Sequence, residues 1–369
     1  MSAVTVRHFL YTSHRSSAVT PQVSRIGLVG SAKSVDVDLL AALSVTALAP
    51  AVPYPVKHGT RLHELALITS YLRTTPADVL VLRADDFRSS ARRIKSFVSE
   101  AVGLGMLAAT VPSVVLQGGV RSTHDFDALP TSLVGQFRLT GVRPDLLFAW
   151  RQHRLAGESR GRALRPPRGV TKEPRDRLNQ LLPWAHHHGD HPLVMTWCYL
   201  TKTGITVDLY RETDEDHWPA LDANDRWDLT AELRKHASAR RRGASRPEPD
   251  PDDSGTGDLF ASRLSGRARV AQQLYDSAPP TGLRVAERRL RGRWAPADLI
   301  ADEPGVLFLG VLDRPIDPEE GARIAAGLAG RGTDDEVRLS VLIRERLVLA
   351  MASGRTGQPW ELLDDQAIS

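Results

Sequence analysis

Residues 143–150 read Arg-Pro-Asp-Leu-Leu-Phe-Ala-Trp, and residues 155–162 read Leu-Ala-Gly-Glu-Ser-Arg-Gly-Arg. A short polar turn separates these two segments, so they are predicted to form the arms of a β-hairpin. The hairpin would bring together Asp145 and Glu158, with Arg160 two residues beyond the glutamate. Two carboxylates placed in this way suit a hard divalent cation, because Mg²⁺ takes few protein oxygens and keeps positions open for phosphate and water.

The pattern resembles the PD-(D/E)xK nuclease superfamily, in which Pro-Asp opens one strand and Glu-x-Lys lies on the next. Pro144-Asp145 and Glu158-Ser159-Arg160 match that pattern in order and spacing, with arginine where the family usually has lysine. The resemblance implies that Asp145 and Glu158 hold Mg²⁺ or Mn²⁺ and that the Ser159 carbonyl adds a ligand. It implies that Arg160 stabilises charge on the phosphate. Arginine supplies positive charge but is a poor base, because its guanidinium stays protonated.

The neighbouring segments are predicted in the order of the family's core. A helix capped by Asp85 carries an apolar stripe opposite Arg88, Arg92 and Lys95. Helical spacing recurs at 173–182, where Pro183 is predicted to end or kink the helix, and β-rich runs follow at 192–200 and 204–210. The resemblance therefore covers residues 85–211. It implies an α/β fold with a restriction-endonuclease-like core of a helix, two strands, a helix and two strands.

The predicted helix after the glutamate strand adds further candidates. Gln180 lies where some DNA end-processing members of the family carry a glutamine, but no tyrosine follows at the expected spacing, and a plain surface position is the alternative. Basic residues cluster beside the proposed site, and such a cluster predicts salt-dependent phosphate binding. Its members are Arg160, Arg162, Arg165, Arg168, Lys172, Arg175 and Arg177. Arginine is abundant throughout this chain, so compositional bias is the competing explanation.

Ordinary structural roles compete with the catalytic interpretation of the two carboxylates. Asp145 follows a proline, which is also typical of a turn or cap at the mouth of a strand. Glu158 would, on the same view, be a solvated position of the hairpin. The sequence leaves both interpretations open.

Two other motifs are weaker candidates. The run His186-His187-His188 with His191 invites a metal interpretation, but adjacent helical side chains point in different directions, so an exposed segment end is favoured. Residues 27–34 end in Lys-Ser after an apolar stretch, as a phosphate-binding loop does. Ala32 stands where that loop needs glycine, so a strand-to-helix turn is predicted and a nucleotide site is the alternative.

Composition sets the bounds of the interpretation. The chain has 369 residues, 41% of them hydrophobic, which is enough for a large core. Its net charge of +4 permits a polyanionic partner. Cys198 is the only cysteine, so no intrachain disulfide is possible, and it is expected to be buried. The first 17 residues lack the continuous apolar core of a signal peptide. A cytoplasmic protein without a membrane segment is expected.

We expect four regions along the chain. Residues 1–80 are an α/β region of undetermined role, with a strand at 26–29 and helices at 35–48 and 61–72. Residues 81–237 are the nuclease-like domain, and residues 238–265 are a disordered linker rich in Pro, Asp and Gly. Residues 266–369 are a small α+β domain with strands at 283–300, 305–312, 337–343 and 347–351 and a helix at 318–327. This last domain is the candidate surface for protein partners.

The sequence supports two functional hypotheses. The first is a metal-dependent nuclease that acts on DNA phosphodiesters. The second is a catalytically inactive nuclease fold that serves as a nucleic-acid-binding or assembly module, which the arginine at position 160 keeps open. A purely structural or protein-binding role is a third.

Overall fold

The structure, a computed structural model, describes residues 2–16, 19–50, 54–116, 120–126, 142–150, 153–188, 190–213, 266–297, 305–329 and 337–354. Within these ranges the chain is a mixed α/β fold with two large sheets and several helices, as the predicted α/β class requires. The predicted linker at 238–265 and the preceding helical segment at 224–242 lie outside the described residues.

The secondary-structure elements are numbered in chain order. The strands are β1 (Ser2–Ser16), β2 (Val19–Val37), β3 (Leu72–Thr74), β4 (Leu80–Leu82), β5 (Val120–Asp125), β6 (Leu146–Trp150), β7 (His153–Arg162), β8 (Leu193–Thr201), β9 (Gly204–Glu212), β10 (Pro280–Val285), β11 (Arg288–Pro296), β12 (Gly305–Leu312), β13 (Val337–Arg344) and β14 (Leu347–Gly354). The helices are α1 (Leu39–Ala47), α2 (His58–Ser70), α3 (Ala84–Ser89), α4 (Arg92–Val114), α5 (Lys172–His187), α6 (Gly266–Ser277) and α7 (Pro318–Ala329).

Among the described residues, the larger sheet has seven strands in the order β2-β1-β9-β8-β7-β6-β5. Strands β5, β6 and β7 form an antiparallel meander, and β8 and β9 form an antiparallel hairpin. Because β7 and β8 are parallel, the chain must return to the same end of the sheet between them, and α5 makes this crossing. The long β1–β2 hairpin extends the sheet, since β1 pairs with β9 in parallel.

Helices cover both faces of the larger sheet. α5 buries Leu178 and Leu181 on one face, and α1 and α4 pack on the other. α4 crosses β7 very closely, because a Cβ atom at Gly103 would lie 2.8 Å from the backbone nitrogen of Gly161. Only glycine permits this approach, so these residues fix the position of the helix on the strand. By length and apolar composition α4 is the one helix in the described ranges that could cross a membrane, and 50% of its most apolar window is buried inside the molecule.

The smaller sheet has five antiparallel strands within the described ranges, in the order β10-β11-β12-β14-β13. α7 covers one face, and α1, α2 and α6 contact the other. One apolar cluster runs from that second face into the larger sheet. In this contact region His58 Nε2 donates to the carbonyl oxygen of Leu309 (2.8 Å), and the Ser70 hydroxyl donates to that of Ala297 (2.7 Å). The two sheets therefore share a core.

The predicted regions 1–80 and 81–237 both contribute to the larger sheet. β1 and β2 come from the first range and β5 to β9 from the second. β4 spans the boundary between them, from Leu80 to Leu82.

Two helix predictions need correction. Of the two effects predicted for Pro183, the helix end is wrong: α5 continues to His187, because Trp184 and Ala185 are buried in the core and their packing offsets the cost of the proline. The helix predicted from Asp85 is two helices, α3 and α4, with an extended backbone at Ser90 between them. The hydroxyls of Ser90 and Tyr71 are hydrogen-bonded at 2.6 Å, which holds the break in place.

The strand predictions also need correction. Residues 27–34 do not form a strand-to-helix turn, because β2 continues to Val37 through its pairing with β1. The strand predicted at 283–300 is instead the hairpin β10–β11, which reverses at Ala286 and Glu287. Both of these residues have positive φ angles, of 47° and 60°. Alanine and glutamate do not favour this conformation, so the sequence carries no signal for the turn.

Candidate functional site

Asp145 lies directly before β6 and is locked to β7. Its backbone nitrogen donates to the carbonyl oxygen of Gly157 at 2.9 Å, which sets the register of the meander. Its Oδ2 atom accepts two hydrogen bonds from Ser159, one from the backbone nitrogen at 2.8 Å and one from the hydroxyl at 3.1 Å. The carboxylate is therefore held in one orientation by the strand that carries the second acidic residue.

Glu158 is completely buried on β7, with an exposed fraction of 0%. Its Oε1 atom accepts from Arg177 Nε at 2.7 Å and lies 2.5 Å from Arg177 NH2. Arg160 NH2 lies 3.0 Å from the same oxygen. The other oxygen, Oε2, is buried and has no hydrogen-bond partner among the described residues. Half of this carboxylate is thus compensated by two guanidinium groups, and half is not.

The surroundings of Asp145 and Glu158 disfavour the state in which both carboxylates are ionised. Burial and the nearby Asp145 carboxylate raise the pKa of Glu158 to about 7, although Arg160 and Arg177 act to lower it. Burial likewise raises the pKa of Asp145, against the opposing effect of its hydrogen bonds from Ser159. An additional cation beside Glu158 Oε2 would stabilise both ionised carboxylates.

Arg177→Gln is expected to destabilise the chain by about 2 kcal/mol near pH 8, because it removes two donors from a buried carboxylate. Arg177 lowers the pKa of Glu158, so its loss raises that pKa further and Glu158 stays protonated to higher pH. The cost should shrink toward about pH 5, where Glu158 is protonated in both proteins. Urea unfolding at the two pH values measures the difference. Arg175→Gln, an exposed position on the same helix, is the control, and an equal effect of both substitutions would contradict the assigned contact.

The structure brings together most of the residues predicted for the site. Glu158, Ser159 and Arg160 are consecutive on β7, and Asp145 contacts Ser159. The Gln180 side chain is exposed on α5, and its Oε1 accepts from Arg177 NH1 at 3.2 Å. Within the described ranges, Gln180 is therefore linked to Glu158 through Arg177.

The predicted basic cluster divides in two: Arg160 and Arg177 contact Glu158, and the other five members are exposed. Arg177 was grouped with the phosphate-binding cations, but its described contacts are with Glu158 and Gln180. Arg162 lies with its guanidinium 5.5 Å from the centre of the Trp197 ring. The remaining members are exposed on the loop before α5 or on its first turn: Arg165, Arg168, Lys172 and Arg175.

A buried ion pair that the sequence analysis missed supports this loop. Arg7 of β1 binds Asp208 of β9 through two bonds of 2.6 Å, and its NH1 group donates to the carbonyl oxygen of Pro167. Burial raises the pKa of Asp208 despite the bonds from Arg7. The two residues are 201 positions apart, so only the β1–β9 pairing reveals their contact.

The histidine segment does not form a metal site. His186 Nδ1 is paired with Asp190 at 2.9 Å, while His191 is buried against the Trp184 ring. Burial lowers the pKa of His191 to about 3, which corrects the prediction that it belongs to an exposed end. Within the described ranges, no group of three or more His, Cys, Asp or Glu side chains could hold a metal together. Cys198 is buried, as predicted.

Comparison of the chain with protein-family models, with curated proteins and with solved structures gave no match. The function is therefore inferred from the geometry of the site.

Proposed function

We propose that this chain is a metal-dependent nuclease of the PD-(D/E)xK type that cleaves DNA phosphodiester bonds. The order of elements supports the proposal: β6, β7, α5, β8 and β9 follow one another as strand, strand, helix, strand, strand, after the long helix α4. The observation that carries the proposal is the pair of carboxylates, Asp145 and Glu158, held together by neighbouring strands, with one buried oxygen of Glu158 uncompensated.

The donor set fits a hard divalent cation such as Mg²⁺ or Mn²⁺. Asp145 and Glu158 would hold the ion, and the Ser159 carbonyl is the candidate for a third protein ligand. Such a cation favours oxygen ligands and would compensate Glu158 Oε2. When bound, it would supply Lewis-acid stabilisation of phosphate charge and lower the pKa of water.

The other residues of the site have separate roles in this proposal. Ser159 orients Asp145, and Arg177 orients Glu158. Arg160 is 28% exposed and adjoins Glu158, so its guanidinium can face a phosphate while it balances the carboxylate. Gln180 orients Arg177, and the exposed cations from Arg162 to Arg175 bind the nucleic-acid backbone.

One observation favours an inactive binding module. Glu158 Oε1 is already paired with both Arg160 and Arg177. Two fixed guanidinium charges therefore occupy the place where a catalytic site would hold an exchangeable metal ion. A chain of this kind would bind nucleic acid in EDTA and never cleave it. A cytoplasmic location and protein contacts through residues 266–369 remain parts of the proposal in either case.

Cleavage of circular and linear DNA by the purified full chain tests the proposal. In Mg²⁺ or Mn²⁺ the wild type should cut the DNA, EDTA should stop the reaction, and Asp145→Ala should be inactive. Salt-sensitive binding without any cleavage would favour the inactive module. If the wild type neither binds nor cleaves DNA, both proposals are overturned.

Arg160→Lys separates these cases further. If the chain is a nuclease, lysine restores the usual residue of the family, and cleavage should be retained or increased. Replacement by Gln removes the positive charge and should lower the rate by about 10²-fold or more. Equal rates for the Lys, Gln and wild-type proteins would remove Arg160 from the mechanism.

A further inference from the structure

The β10–β11 hairpin of the smaller sheet carries a row of arginines on one face. On β11, Leu290 and Trp294 point toward the cluster under α7, so Arg289, Arg291 and Arg293 point the other way. Arg284 of β10 lies directly opposite Arg289 in the ladder. This face is separate from Asp145 and Glu158, which belong to the larger sheet.

Among the described residues, three of these arginines lack a compensating carboxylate. Arg284, Arg289 and Arg293, which we call the arginine stripe, are exposed. Within the described part of the chain, none of their side chains forms an ion pair or a hydrogen bond. The nearby arginines differ: Arg288 is paired with Glu320 at 3.2 Å, and Arg291 stacks over Tyr275.

Among the described residues, the acidic groups close to the hairpin form no ion pair with the stripe. Asp276 accepts from Gln272 at 2.7 Å, and Asp313 lies 3.9 Å from Arg314. Glu287 is exposed at the turn itself. Like charges directly opposite each other on paired strands are destabilising, so Arg284 and Arg289 repel each other in the free protein. An anion between them would relieve that repulsion.

The turn defines the backbone that carries the stripe. Ala286 and Glu287 both have positive φ angles, the conformation of a tight two-residue hairpin turn. Residues other than glycine adopt this conformation at a cost that the surrounding structure must sustain. The hairpin therefore fixes the backbone positions from which these arginines extend.

We propose that the arginine stripe binds the phosphate backbone of nucleic acid, as a second contact apart from the carboxylate site. The inference rests on the proposed nucleic-acid partner but not on cleavage, since phosphate binding by arginine needs no metal. Each neutralised phosphate releases counterions, so the stripe should contribute to the salt dependence of binding.

The test measures binding of labelled duplex and single-stranded DNA by the full chain in EDTA, across a series of NaCl concentrations. The triple variant Arg284→Gln, Arg289→Gln, Arg293→Gln should bind about ten-fold more weakly. The slope of log affinity against log salt should fall by about two to three, as expected for three lost phosphate contacts. The corresponding triple Lys variant keeps the charges and should keep the slope. It separates the loss of charge from the effect of replacing the three side chains.

A charge-matched control carries Gln at Arg73, Arg92 and Arg323, which are exposed on elements other than the β10–β11 hairpin: β3, α4 and α7. Equal losses in the stripe and control variants would show a bulk charge effect and overturn the proposal, as would an unchanged slope in the stripe variant. Binding in EDTA requires no cleavage, so a wild type that binds DNA through the stripe but never cuts it would contradict the cleavage proposal and leave this inference standing. A wild type that binds no DNA would also overturn the inference.

Discussion

Glu158→Gln is expected to abolish cleavage of DNA in Mg²⁺, with a loss of about a thousand-fold or more. The amide has the same shape but lacks the charge that would hold a cation, whose contribution to the transition state is several kcal/mol. Arg177 can still donate to the amide oxygen, so the local geometry should persist. Single-turnover cleavage by the wild type and the variant measures the effect.

The same substitution should improve stability at neutral and higher pH. The folded-state pKa of Glu158 is raised from 4.5 to about 7. Its protonated form therefore favours folding, and that contribution is lost as the pH rises through the folded-state pKa. Between about pH 4.5 and pH 8 the loss amounts to on the order of 3 kcal/mol. In EDTA, the stability of Glu158→Gln relative to the wild type should rise by that amount over this range.

Glu173→Gln is the matched control for both effects. Glu173 lies on the exposed first turn of α5, so its substitution makes the same chemical change outside the buried site. It should leave both cleavage and the pH dependence of unfolding close to the wild type. Full activity in Glu158→Gln, or identical pH profiles of unfolding for Glu158→Gln and the wild type, would contradict the assigned role of Glu158.

Gly161→Ala should destabilise the chain by at least about 3 kcal/mol. A Cβ atom at this position would overlap the carbonyl oxygen of Ser99 in α4, and a helix backbone cannot move aside as a flexible side chain can. The displacement would reach Glu158 through β7, so cleavage should fall as well. Urea unfolding and the soluble yield of the variant measure the effect.

Gly59→Ala provides the comparison. Gly59 lies in α2, and a Cβ atom there would meet nothing within 4 Å. Alanine should therefore be neutral or stabilise the chain by up to about 1 kcal/mol, because it restricts the unfolded state. If Gly161→Ala were as stable as Gly59→Ala, the close contact between α4 and β7 would be wrong.

The elements nearest the site were the most predictable from sequence. β6 is a short apolar run that ends at a polar turn, and β8 is an apolar run of strand length, so their patterns follow from local burial. Asp145 and Glu158 were found because the hairpin brings them together within a short stretch of chain. Local patterns of this kind do not depend on distant partners.

Other features depend on contacts that no local pattern reveals. β1 pairs with β9, although the two strands lie far apart along the chain, and the Arg7–Asp208 ion pair follows from that pairing. Arg177 is one of several arginines on its segment, and only the orientation of α5 directs it toward Glu158. Pro183 carried a strong helix-breaking signal that the burial of Trp184 overrode.

The hydrogen bonds of α2 to the smaller sheet determine what a fragment of this protein can be. A chain cut after β9 would expose the apolar side chains that now face Leu309 and Leu349, and it would leave His58 and Ser70 without their carbonyl partners. Such a fragment would be prone to aggregate. Its inactivity could then be mistaken for the removal of a catalytic domain, although the fragment would still contain Asp145 and Glu158. Because the two sheets share a core, we expect them to unfold together, and a stable shortened chain should need both on one polypeptide.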